Sequence, residues 1–158
     1  MISLAVHKLR FVSPSKWLVD VAICIRTWSL YPHVELLIQE PGKTPLRFSA
    51  SRQFGVGFED WKESSQDWDI ITLSLTPWQE AYARNLMNGL TPSGYGWNNI
   101  CHFLFPWVEE NINTYDCSSI CAAILTRVGY LGIAEKDCWR LSPDKLRSIV
   151  LRKERCAV

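Results

Sequence analysis

The chain has 158 residues, 47% hydrophobic and 12% aromatic, enough to close one compact core without help from metals or disulfides. Seventeen Lys and Arg against sixteen Asp and Glu give a formal charge of +1, so no electrostatic footprint for nucleic acid or an anionic membrane stands out. No apolar run reaches the roughly 18 residues that span a bilayer, which argues against stable membrane insertion.

Six cysteines lie at irregular spacings, and the opening "MISLAVHKLRFVSPSK" lacks the pattern of a secretory signal. A reducing, cytoplasmic setting is expected. Repeats and low-complexity stretches are absent, so residues 1–158 are read as a single domain.

Taken in chain order, "KWLVDVAICIR" (16–26) is rich in Val and Ile and reads as a strand. "HVELLIQ" (33–39), the Gly/Pro turn "EPGKT" (40–44) and "PLRFSAS" (45–51) read as a hairpin. The polar stretch 59–67 reads as a loop leading to a further strand, "WDIITLSL" (68–75). A helix is expected over 76–89, with Thr76 as cap, Pro77 in the first turn, Gln79 three residues after the cap and Gly89 as stop. Its apolar stripe would be Trp78, Tyr82 and Leu86. Residues 93–107 are broken by Gly and Pro and allow only a short helix. "YDCSSICAAILTRVG" (115–129) puts Ile120, Cys121, Ile124, Leu125 and Val128 on one helical face, and a last helix opens at "SPDKLRSIV" (142–150). Strands first and helices after predict an α+β domain, with helices on one face of a mainly antiparallel sheet. The basic tail "RKER" (152–155) reads as a solvated helix end.

Cys117 opens the most apolar helix, where unpaired backbone N–H groups favour a thiolate and hence a nucleophile. Asp116 sets a negative charge beside that sulfur, which opposes thiolate formation. His33 supplies an imidazole that can take the thiol proton and return it to a leaving group. Glu35 shares its strand face at a spacing of roughly 6–7 Å and can orient the ring, although direct contact would need a bend at Pro32–His33. Tyr31 and Tyr115 flank the two reactive candidates and offer hydroxyls, and Ser49 and Ser51 sit on the strand expected to pair with the histidine strand. Cys101, His102, Cys117 and Cys121 include no C-x-x-C pair, so no metal site is expected. The eight tryptophans are not interleaved with Lys or Arg, so no nucleic-acid partner is expected either.

"TWSLYPHVELLI", "RFSASRQFGVGF", "YDCSSICAAIL" and "RLSPDKL" together resemble the circularly permuted papain-like hydrolases of the NlpC superfamily, in particular the YiiX/YaeF-like group. In that group a strand histidine comes first in the chain and a helix-start cysteine last; here the order is His33, then Cys117. The resemblance runs over approximately residues 17–146, with Thr27, Ser29, His33, Val34 and Glu35 matching the family's histidine segment. It implies a permuted papain-like fold and a thiol hydrolase or acyltransferase acting on amide, ester or thioester bonds. Cys117 would be nucleophile, His33 base and Glu35 the third residue, with Tyr31, Ser49 and Tyr115 lining the substrate. No cofactor is implied, and the substrate would be peptide-like or acyl. The competing expectation is an inactive binding or inhibitor protein on the same scaffold with a protein partner, such as a phage-encoded host-directed effector.

Overall fold

The first strand is one that the sequence reading leaves unassigned: "ISLAVH" forms β1 (Ile2–His7) and lies inside the sheet. All six of its residues are buried, so its two faces differ little in polarity and the alternation that marks a half-exposed strand is muted. With β2 (His33–Ile38), β3 (Leu46–Ser51), β4 (Gly55–Asp60) and β5 (Trp68–Thr72) it makes a five-stranded antiparallel sheet of order β4-β3-β2-β1-β5. The computed structural model describes residues 1–9, 14–51, 55–62, 65–94, 96 and 114–156.

The expected hairpin is present, with β2 and β3 joined through a turn in which Gly42 takes a left-handed φ of 73°. The expected strand at 16–26 is not. That segment is the helix α1 (Pro14–Thr27), with Pro at its first position, where the lost N–H costs nothing. Val and Ile lower helix propensity only slightly, and burial of Ile23 and Cys24 on adjacent helical positions outweighs that preference. The stretch 59–67, expected as a loop, begins inside β4 and ends in a 3-10 turn at Ser65–Asp67.

Helix α2 (Pro77–Leu90) carries the full capping box, with Gln79 N–H donating to the Thr76 hydroxyl at 3.2 Å and Thr76 N–H donating to the Gln79 side chain at 2.9 Å. Of the expected stripe only Leu86 packs against the core, beside buried Ala83 and Met87, whereas Trp78 is 66% exposed and lies beside Tyr82 on the surface. Helix α3 (Cys117–Arg127) is buried over nine consecutive residues and lies against β2 and β3. It closes on Gly129 at φ 72°, with Tyr130 N–H and Gly129 N–H donating to the Leu125 and Thr126 carbonyls. After a 3-10 helix (Glu135–Arg140), α4 (Pro143–Cys156) continues beyond its expected end and packs on α3 and β1.

Val6 pairs with Val34, Leu4 with Leu36 and Ile2 with Ile38, so these residues share one face of the sheet. They form the main core with Phe48, Met87, Ile120, Ile124, Leu125, Leu146 and Val150. Each such side chain adds about 1.5–3 kcal/mol of burial. Ala5, Leu37 and Trp68, with Trp61 against them, pack separately and share the alternate positions with His7, His33 and Glu35. No helix among the described residues is long and apolar enough to cross a membrane.

Candidate active site

Asp116 is the N-cap of α3, and its Oδ1 accepts from Ser118 N–H (2.9 Å), Ser118 Oγ (2.9 Å) and Ser119 N–H (2.8 Å). The Ser119 hydroxyl accepts in return from Asp116 N–H at 3.0 Å. Burial raises the Asp116 carboxyl above its ordinary range, against the bonds from Ser118 and Ser119 that favour its charge. The carboxylate expected to oppose the thiolate is thus a cap, and its bonds fix the first turn on which the thiol sits. Ile120 N–H goes to the Asp116 carbonyl, and among the described residues no acceptor takes the Cys117 N–H.

His33 is the first residue of β2, and the early turns of α3 lie against this strand start, with the Cys121 thiol 3.9 Å from the Val34 carbonyl oxygen. The Cys117 thiol stands close enough to the His33 ring to raise the ring's pKa. On its other side the ring meets Glu35, Nε2 to Oε1 at 2.9 Å. Direct contact between His33 and Glu35 is therefore made within the strand. With Nε2 committed to the carboxylate, Nδ1 is the nitrogen available to the sulfur. Desolvation pushes the His33 pKa down, but the Cys117 charge and hydrogen bond and the Glu35 contact outweigh it and carry it to about 10.

Glu35 is itself buried. Arg47 Nη1 stands 3.5 Å from the Oε1 that holds His33, and Arg47 also pairs with Glu59. A small cleft beside Cys117 is lined by Ile23, Pro32, Trp139, Leu141 and Pro143, together with Asp116, Ser118 and Ser142.

Neither family models nor curated protein sequences match this chain. The chemistry of the site is therefore read from its geometry.

The flanking candidates divide. Tyr115 stacks on Trp139, ring centroids 5.0 Å apart, and so backs one wall of the cleft. Tyr31 donates its hydroxyl to Asp69 at 2.7 Å, in a cluster where Arg147 and Lys8 also hold that carboxylate. Ser49 is buried, with its Oγ 3.4 Å from the carbonyls of Val34 and Ala50. The side chain of Ser51, together with Cys101 and His102, lies outside what is described. Among the described residues no cluster of His, Cys, Asp and Glu could hold a metal ion.

Sequence reasoning missed three neighbours of the histidine. His7 pairs with His33 across β1 and β2, and Trp68 lies against both rings, 4.7 Å from His7 and 6.1 Å from His33. Arg47 is the third. The only local signal was the same-face position of His7 within "ISLAVH", legible once that strand is assigned.

Proposed function

We propose that this chain is a cysteine-dependent hydrolase or acyltransferase on a permuted papain-like scaffold, with Cys117 as nucleophile, His33 as acid and base, and Glu35 as the residue that holds the ring. What supports this reading is the His33 ring bonded to Glu35 at 2.9 Å and raised in pKa by the neighbouring Cys117, which opens a capped helix. A thiolate beside an imidazolium is the activated form of such a nucleophile.

In the reaction, the thiolate adds to a carbonyl carbon and the negative charge moves to the oxygen, where the Cys117 N–H, unclaimed among the described residues, is a donor. Collapse of that adduct breaks the bond to the leaving nitrogen, oxygen or sulfur, which takes the proton from His33. An acyl thioester on Cys117 remains. Water or another nucleophile then gives a proton to His33 and attacks the thioester, releasing the acyl product and restoring the thiolate. The apolar walls of the cleft suit an uncharged acyl or peptide side chain.

The competing thiols sharpen the test. Burial pushes Cys24 up to about 11 and raises Cys121 and Cys138, so these remain protonated near neutrality, while Cys156 is exposed. In a background carrying Cys101→Ser and Cys156→Ser, limiting iodoacetamide near pH 7 is expected to modify Cys117 first, located by peptide mass spectrometry. His33→Ala should slow that reaction by about tenfold or more. Equal modification of all the cysteines would favour a binding protein over an enzyme.

A further inference from the structure

The sheet register sets a guanidinium beside the proposed site. Arg47 on β3 stands opposite Leu37 on β2 and Glu59 on β4, and Leu37 is two positions from Glu35, so all four share one face of the sheet. Arg47 donates from Nε to Glu59 Oε2 at 2.9 Å and from Nη2 to the same oxygen. Nη1 then reaches toward Glu35, 3.5 Å from the Oε1 that also meets His33.

The Arg47 and Glu59 side chains are partly exposed, and such a pair alone contributes little. Glu35 is different, with its side chain only 4% exposed. A carboxylate that far from water takes a proton unless a cation stands beside it. His33 is such a cation only while it carries its own proton. Around these two residues also stand His7, opposite His33 on β1, Cys117 beside the ring, and Cys121 on α3, which feels the Glu35 charge. Of all these groups, only Arg47 brings a positive charge that does not depend on pH.

We propose that Arg47 is a positioning residue that acts through Glu35, keeping that carboxylate charged so that the proton taken from Cys117 rests on His33 and passes from there to the leaving group. The proposal rests on the reading of Cys117 and His33 as a reactive pair. In the reaction the ring gives up its proton and later regains it, and while it is neutral Glu35 faces no charge on that side. Arg47 holds the carboxylate through this interval, so no proton is diverted to Glu35. The two roles open to a cation here differ in sign. A charge that merely lies near the ring repels the imidazolium, and its removal raises the His33 midpoint. A charge that holds Glu35 ionised has the opposite effect.

An NMR titration of the His33 ring therefore compares wild type with Arg47→Gln and Arg47→Lys. Arg47→Gln should lower the midpoint by about one pH unit or more and slow Cys117 alkylation near pH 7 by about fivefold, and Arg47→Lys should recover most of both. In a Glu35→Gln background, which has no charge to hold, Arg47→Gln should leave the midpoint in place or raise it. An unchanged or raised midpoint in Arg47→Gln alone, or a fall that persists in the Glu35→Gln background, overturns the proposal. Should Arg47→Gln fail to fold, the carboxyl carbon-13 signal of Glu35 in wild type near pH 7 decides: a carboxylate shift supports the proposal and a carboxylic-acid shift overturns it. A His33 midpoint that Cys117→Ala leaves unmoved counts against the reactive pair instead, so the two failures read out separately.

Discussion

Glu35 keeps a carboxylate almost out of water, with Oε1 on His33 and near Arg47, while Oε2 has no hydrogen-bond partner among the described residues. An unpartnered buried carboxylate oxygen is costly, and stability alone gives no reason to retain it. Its contact holds the His33 ring and favours the imidazolium, which is the benefit the proposed mechanism gives it. Glu35→Gln preserves the shape and removes the charge, so Cys117 alkylation near neutrality is expected to slow by about tenfold, with little change in urea midpoint. Asp116 works differently, through the helix start. Asp116→Ala should cost about 1 kcal/mol in urea unfolding, and Asp116→Asn, which still accepts from the Ser118 and Ser119 N–H groups, much less. A loss confined to reactivity, with stability intact in Asp116→Ala, would contradict the capping role.

At the scale of elements, local chemistry marks some boundaries and not others. The start of α2 is legible because Thr76, Pro77 and Gln79 state a capping box within four positions, and the hairpin because "EPGKT" separates two runs of strand formers. The segment 16–26 is misleading because Val19, Val21, Ile23 and Ile25 alternate as a strand would, and only contacts made elsewhere in the fold select the helix. Long-range ties are silent in sequence. Asp69 on β5 collects Lys8 after β1, Tyr31 before β2 and Arg147 on α4. Desolvation raises its pKa, but the three bonds outweigh it and bring the carboxyl to about 2, below its ordinary 3.8. The sign follows from linkage: the stabilisation is present above the ordinary value and is lost as pH falls through the folded one. Asp69→Asn should therefore cost about 2 kcal/mol at most in urea unfolding near pH 7, and the gap from wild type should close as pH falls toward 2.

Over the whole molecule, the α+β arrangement is legible in the sequence, and the proposed reactive pair is read from residue types alone: a cysteine at a helix start and an imidazole at the start of a strand. What sequence does not state is adjacency. The register of β1 against β2 sets His7 beside His33, and the packing of α3 on β2 brings the sulfur to the ring. Trp68 and Trp139 join the site through the same fold-level contacts, which no spacing in the chain records. The central claim is the pairing of Cys117 with His33, and an NMR titration of the His33 ring in wild type and Cys117→Ala tests it most directly. In wild type the imidazolium should persist until pH rises through about 10, and in the variant the midpoint should fall back toward the ordinary 6.5. A midpoint that is the same in both proteins would contradict the account.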